Sequence, residues 1–163
     1  MISAIPRTER RSERADVARL IDLVHDVMKG SLRRLHPTLA KEGITMGQFW
    51  AIHTVSSLEG ASMSAVARYV GVSPAAMCAN IDQLEQVGLV RRERSVEDRR
   101  AIRLTLTPRG HRVETRIWNA IAHVMSDAAR DLPPSDLAAS VRVFGEVTRR
   151  LQSADDASSG VMS

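Results

Sequence analysis

The chain has 163 residues, of which 44% are hydrophobic, 26% charged and 3% aromatic, a composition that excludes a wholly disordered chain. Its one cysteine, Cys78, excludes an internal disulfide and a cysteine-rich metal site. The net charge of +4 is compatible with a polyanionic partner.

The first 15 residues are rich in charged side chains and lack an apolar core, so they do not predict a signal peptide. No stretch of the sequence approaches 18 uninterrupted apolar residues, so we expect no transmembrane helix and no membrane partner. A cytoplasmic location is the expectation.

A long amphipathic helix is predicted from about Glu13 to Lys41, because apolar residues recur there at spacings of three and four. Pro37 is expected to kink or end this helix near its last turn, since proline removes a backbone hydrogen bond. Gly43 follows as a stop signal.

Three shorter helices are predicted next. Thr45 with Gln48 three residues later forms a capping box, and Ser62 opens the following helix. Gly71 breaks that helix, and Ser73 followed by proline starts another at once. Two short helices that meet across such a tight turn are typical of a helix-turn-helix.

The hydrophobic period then changes to two at residues 102–106, which predicts a strand, with residues 89–92 as its antiparallel partner. Residues 93–100 form the predicted hairpin loop, a wing. Thr107 with Pro108 starts another long helix, and a pair of prolines at 133–134 separates it from a last one. Residues 153–163 predict a disordered tail.

The predicted fold class is therefore mainly α: an α+β winged helix-turn-helix with flanking long helices that form a dimerisation region. We expect one domain over 1–152, with the DNA-binding unit at 45–107 and dimerisation helices at 13–42 and 109–152. The flanking helices carry more apolar surface than the small unit can cover, which predicts a homodimer. The predicted interface residues are Val17, Leu20, Ile21, Val24, Leu137, Val141 and Phe144.

Positive charge concentrates around the predicted wing. Residues 89–112 contain eight arginines and three acidic residues. Such a cluster is either a phosphate-tracking surface or a solvated charged hairpin, and the helix-turn-helix just before it favours DNA.

Six segments of the sequence match motifs of a known family, and the last of them reads Leu-Thr-Leu-Thr-Pro-Arg-Gly. They lie at 44–49, 65–74, 81–85, 88–90, 98–101 and 104–110. In these segments the sequence resembles the MarR family of transcription regulators. The resemblance implies an obligate dimer on a pseudo-palindromic operator of double-stranded DNA, with one helix in the major groove and the wing in the minor groove. It also implies repression that is relieved by a small aromatic or phenolic ligand.

The recognition helix departs from the family at its outward positions. Ala76 and Ala79 stand where many members carry threonine and arginine, and Gln83 stands where arginine is common. We expect Asn80 and Gln83 to pair with adenine edges and the alanines to touch thymine methyl groups. In the wing, Asp98 should hold Arg100 for the minor groove. The predicted DNA-contacting set is Ser62, Ser64, Ser73, Ala75, Ala76, Ala79, Asn80, Gln83, Arg91, Arg94, Asp98, Arg99 and Arg100.

The resemblance also implies an effector pocket where the first, second and fifth helices meet. Apolar walls with a few polar groups suit a small ligand, although the same residues could be plain core. The candidate lining residues are His25, Met28, Leu32, Arg33, Phe49, Trp50, His53 and Trp118.

Two other classes of protein are alternatives to a DNA-binding regulator. An enzyme is disfavoured, because there is no Gly-rich phosphate loop, no Gly-x-Ser-x-Gly and no His-Glu-x-x-His, and the five histidines lack ligand spacing. We therefore expect no catalytic residues, no cofactor and no metal. The second alternative is a winged-helix protein-interaction module without specific DNA binding. Ala76 and Ala79 are compatible with it, whereas the arginine-rich wing argues against it.

Overall fold

The computed structural model describes residues 7–58, 60–94 and 102–159, with side chains described from 14 to 154 within those ranges. The chain forms two compact units, Met1–Val124 and Met125–Ser163, where the sequence predicted one domain over 1–152. The elements confirm the predicted winged helix-turn-helix with long helices before and after it. They are α1 (Arg7–Glu42), α2 (Met46–Ser57), α3 (Met63–Val70), α4 (Pro74–Gln86), β1 (Val90–Arg94), β2 (Ile102–Leu106), α5 (Pro108–Ala129) and α6 (Pro134–Ser159).

Pro37 was predicted to kink or end the first long helix. Helix α1 continues through Pro37 to Glu42, so the proline does not end it, and the kink stays a prediction. Leu35 and Leu39, on either side of Pro37, are both buried in the core. Their burial holds the last turn in place although the proline cannot donate a backbone hydrogen bond. The helix ends at Gly43, whose φ of +69° suits glycine.

Helices α2, α3 and α4 begin at the predicted caps. The Thr45 hydroxyl accepts from the Gln48 backbone N–H while the Gln48 side chain accepts from the Thr45 N–H, completing the capping box. Ser62 caps α3 and Ser73 caps α4. Between α3 and α4, Gly71 adopts the left-handed conformation with a φ of +76°, which produces the tight turn of the helix-turn-helix.

Strands β1 and β2 pair antiparallel, with Val90 opposite Leu106 and Arg94 opposite Ile102. Val90, Leu104 and Leu106 are buried, as the alternation predicted, but Ile102 is exposed. It lies at the far end of the ladder from Val90 and Leu106, the end that the core does not cover.

The core of the first unit gathers apolar side chains from α1 to α5. Met77, Ile81 and Leu84 of α4 are fully buried in it, as their spacing predicted. The first turn of α5 packs against the base of the wing, where a Cβ on Gly110 would lie 2.1 Å from the Leu89 carbonyl oxygen. Only glycine fits this close approach of helix and backbone.

In the second unit, α6 runs to Ser159, through the first residues of the predicted disordered tail. Residues 153–159 contain no glycine or proline, so no residue type in this segment interrupts the helix. Residues 160–163 of the predicted tail lie outside the described residues.

Candidate nucleic-acid interface

Helix α4, the second helix of the helix-turn-helix, has one buried and one exposed face. Its buried stripe turns the predicted DNA-facing residues outward: Ala75, Ala76, Ala79 and Gln83 are exposed and Asn80 is half-buried. Three alanines make this surface shallow and mostly apolar. It can contact thymine methyl groups closely but offers few side chains that form hydrogen bonds to bases.

The serines at the starts of α3 and α4 are engaged in capping. The Ser73 hydroxyl accepts from the Ala76 N–H at 3.2 Å, and the Ser62 hydroxyl accepts from the Ala65 N–H at 3.3 Å. Ser62 also lies 3.1 Å from the hydroxyl of exposed Ser64. An exposed helix N-terminus with unused backbone N–H groups is a suitable site for a DNA phosphate.

The wing strands present arginines on both faces. Arg91 is exposed, and its Nε lies 2.7 Å from a Glu93 carboxylate oxygen and 3.1 Å from the Thr105 hydroxyl. Arg94 is exposed at the end of β1. The predicted wing-tip residues, Asp98, Arg99 and Arg100, lie outside the described residues, so their roles stay predictions.

Arg92, which the sequence did not single out, joins the wing to α4. Its guanidinium lies 2.6 Å from an Asp82 oxygen and 2.5 Å from a Glu85 oxygen, and its backbone N–H donates to Glu85 at 3.2 Å. Partial burial alone would lower the pKa of Arg92, but the hydrogen bonds to the two carboxylates outweigh it and raise the pKa. Arg92 therefore pairs with two acids on the recognition helix, offsets one of their two negative charges and holds the hairpin against that helix.

A second contact that was not predicted from the sequence joins α2 to α4. The Gln48 side-chain amide donates to the Gln83 amide oxygen at 2.7 Å. Gln48 is buried and also completes the capping box of α2. The Gln83 side chain is therefore already hydrogen-bonded to Gln48 in the absence of DNA.

Proteins described as transcription regulators are among those with related sequences and folds. A sequence model described as MarR family matches residues 42–101. The chain is 29% identical over 130 residues to a putative transcriptional regulatory protein for the hcr operon of Thauera aromatica, covering 72% of this chain and 78% of that protein. It is 35% identical over 78 residues to an HTH-type transcriptional repressor of Mycobacterium tuberculosis, covering 48% of this chain and 56% of that protein.

Among solved structures, the Staphylococcus aureus MarR in complex with salicylate and kanamycin aligns with a TM-score of 0.75 at 16% identity. The alignment covers 87% of this chain and 96% of that protein, and it shows a shared fold. Over residues 42–101 the chain is similar to the MarR family, and its fold is that of a MarR structure. The winged helix-turn-helix that the motifs indicated is therefore confirmed.

The chain has a pocket of about 400 Å³ within its first unit. Four of the predicted lining residues border it: His25, Met28, Leu32 and Trp50. The other lining residues are Val27, Lys29, Ser31, Leu35, Met46 and Ile121. The walls are mostly apolar, with a histidine and a lysine available for a polar group of a ligand.

The remaining four predicted lining residues do not border this pocket. Phe49 is fully buried in the core, one helical position away from Trp50, and Arg33 is exposed on α1. His53 and Trp118 instead stack on each other, with ring centroids 4.6 Å apart and planes 5° apart. Glu114 lies 2.8 Å from His53 Nδ1, so these residues form a separate cluster between α2 and α5.

The predicted dimerisation residues lie on exposed helix faces of the single chain. On α1, Val17, Leu20 and Ile21 are exposed and Val24 is half-buried. On α6, considered by itself, Leu137, Val141 and Phe144 are exposed. Contiguous apolar surface of this kind is unusual on a soluble monomer.

In the described part of the chain, no group of three histidine, cysteine, aspartate or glutamate side chains is placed to hold a metal ion. None of the described helices is long and apolar enough to cross a membrane.

Proposed function

We propose that this chain is a homodimeric repressor that binds a pseudo-palindromic operator and is released from it by a small aromatic or phenolic ligand. The observation that carries the proposal is the exposed face of α4 beside an arginine-bearing hairpin. An outward-facing second helix next to a basic wing matches the way winged helix-turn-helix proteins read DNA. In this proposal residues 45–107 bind DNA, and residues 13–42 and 109–152 dimerise.

The charge of the unit supports a DNA surface. Arg91 and Arg94 are exposed along β1, and the sequence of the wing beyond them contains further arginines. These side chains suit phosphate contacts, which supply affinity and its salt dependence. The acids Asp82 and Glu85 would repel a phosphate backbone, and their pairing with Arg92 offsets one of the two negative charges.

Dimerisation is supported by the exposed apolar faces of α1 and α6. In the proposed dimer, Val17, Leu20 and Ile21 of one protomer pack with apolar residues of the partner's last helix, so that a second copy covers both faces. The two recognition helices of such a dimer enter successive major grooves, with half-site centres about 10 bp apart. The alanines favour thymine methyl contacts and Asn80 favours an adenine edge.

An effector site is supported by the pocket beside Trp50. Its volume of about 400 Å³ and apolar walls suit a single-ring ligand, and His25 and Lys29 can bind a carboxylate or phenolate. The related Staphylococcus aureus protein is in complex with salicylate. A ligand in the pocket releases DNA only to the extent that it binds more tightly to a dimer whose recognition helices are not spaced to fit the two half-sites.

The direct test of DNA binding is a fluorescence anisotropy titration with genomic fragments selected by the protein, repeated at several salt concentrations. We expect the logarithm of the binding constant to fall linearly with the logarithm of the salt concentration, with a slope of roughly −0.9 for each phosphate contacted. A shuffled duplex of the same length is the control for specificity. Absence of binding at low salt would instead favour the protein-interaction module.

The effector is tested by titrating salicylate-like aromatics against tryptophan fluorescence. Trp118→Phe leaves Trp50 as the sole tryptophan, and Trp50→Phe is the matched control. We expect quenching in the first variant and little in the second, because Trp50 lines the pocket and Trp118 does not. No quenching, no thermal shift and no loss of DNA binding across the panel would refute an aromatic effector.

A further inference from the structure

The hydrogen bond between Gln48 and Gln83 joins the recognition helix to the first turn of α2. Gln48 is only 7% exposed, and its Nε2 donates to Gln83 Oε1 at 2.7 Å. The other end of the same amide, Oε1, accepts from the Thr45 backbone N–H at 2.8 Å. The Gln48 amide is therefore held at both ends, by partners on different elements.

This arrangement determines which way the Gln83 amide is turned. The two ends of an amide differ, because the oxygen only accepts and the NH₂ only donates. The Thr45 N–H can only donate, so Gln48 must turn its oxygen toward it and its NH₂ toward Gln83. Gln83 must then turn its oxygen toward Gln48, and its NH₂ is left on the exposed face of α4.

We propose that Gln48 is a positioning residue for sequence specificity: without touching DNA, it makes Gln83 a hydrogen-bond donor toward the bases. The proposal rests on the proposed function, in which α4 reads the major groove. A glutamine that rotates freely pairs with adenine through both its oxygen and its nitrogen. The contact with buried Gln48 turns the Gln83 oxygen toward the protein and the NH₂ toward the bases. The oxygen keeps a second lone pair, but both ends of the amide no longer face one adenine together, so this pairing is disfavoured.

The base preference follows from which edges accept hydrogen bonds. Guanine presents two adjacent acceptors, N7 and O6, in the major groove, whereas cytosine presents only the donor N4–H₂. At the base pair opposite Gln83, we therefore expect guanine to be favoured and cytosine disfavoured. This differs from the adenine that the sequence alone suggested for this position.

Gln48→Glu is the sharpest test, because it replaces the donor that faces Gln83 by an acceptor and keeps the acceptor that faces the Thr45 N–H. Glutamate at this position still accepts from the Thr45 N–H, and a carboxylate is favourable in the first turn of a helix. Toward Gln83, however, the new side chain presents an acceptor. The Gln83 amide then turns over and presents its oxygen to DNA, which favours adenine N6 or cytosine N4.

The experiment is selection of bound sequences from a duplex library randomised in both half-sites, at fixed salt and above neutral pH. The wild type, Gln48→Glu, Gln83→Ala and the double variant are compared after thermal melting has shown that each is folded. Between the wild type and Gln48→Glu, the ratio of guanine to cytosine at one position per half-site should fall roughly 10-fold. Both proteins that carry Gln83→Ala should show no preference there.

Gln48→Met provides a second measurement if the glutamate variant does not fold. It frees the Gln83 amide, so adenine should become as acceptable as guanine at the same position. Unchanged preference in a folded Gln48→Glu or Gln48→Met protein overturns the proposal, as does unchanged preference in Gln83→Ala. By contrast, a wild type that binds no DNA at low salt contradicts the proposed function itself.

Discussion

Replacing Gly110 by alanine should destabilise the protein, although alanine is the better helix former. Inside a helix the replacement gains about 0.5–1 kcal/mol. Here the new Cβ would lie 2.1 Å from the Leu89 carbonyl oxygen, against the 3.4 Å at which ordinary contact begins. The neighbour is backbone at the base of the wing, so it cannot swing aside as a flexible side chain would.

The cost of relieving this clash can be worked out from the contacts around it. Moving α5 away stretches two hydrogen bonds of 3.0 Å: the Thr107 N–H donates to the Leu89 oxygen, and the Gly110 N–H donates to the capping Thr107 hydroxyl. Each is worth about 1 kcal/mol, and overpacking strain adds about 1–3 kcal/mol. After subtracting the helix gain, we expect a net loss of about 2–4 kcal/mol, which lowers Tm by roughly 4–16 °C.

The assay is urea and thermal unfolding followed by circular dichroism, at one protein concentration because dimerisation would make stability concentration-dependent. Gly47→Ala is the matched control. Its Cβ would meet only the Thr45 hydroxyl at 3.9 Å, so we expect unchanged or slightly higher stability. A Gly110→Ala midpoint at or above that of the wild type would show that the reasoning about the wing base is wrong.

Four further predictions concern the interface, the pocket and the dimer. Arg92→Ala should weaken DNA binding by about 1–2 kcal/mol without changing the slope of log binding constant against log salt concentration. Arg91→Ala should instead reduce the size of that slope by about 0.9, and equal slopes for both variants would contradict this assignment. Arg100→Ala should cost about 1–3 kcal/mol of DNA binding with the dimer intact, and unchanged affinity at physiological salt would exclude a minor-groove role. Trp50→Ala should weaken binding of a salicylate-like ligand at least roughly 10-fold by isothermal calorimetry, with DNA affinity retained; wild-type ligand affinity would place the site elsewhere. Phe144→Asp should give monomers by sedimentation velocity, because it places a charge in the proposed interface, and a persistent dimer would rule out this face.

Several features of the site could be predicted from the sequence because they depend on local spacing. The buried stripe of α4 follows from the helical period, and the exposed alanines then follow as its opposite face. The pocket was predicted less well. Phe49 and Trp50 are adjacent in the sequence, yet one fills the core and the other borders the cavity. Hydrophobic period identifies a face of a helix but does not show which part of that face is filled by its neighbours.

The sequence by itself determined the helix caps and the left-handed turn at Gly71, because each depends on residues a few positions apart. It also determined the strand pair of the wing, because alternating apolar residues mark a strand. Only the tertiary structure decided the polar contacts between side chains of different elements. Gln48 reaches Gln83 across 35 positions, and Arg92 reaches Asp82 only after the wing has folded back onto α4. Such polar contacts leave no periodic pattern, because their partners are chosen by how buried faces pack. The hydrophobic core thus places the groups that we expect to control DNA reading.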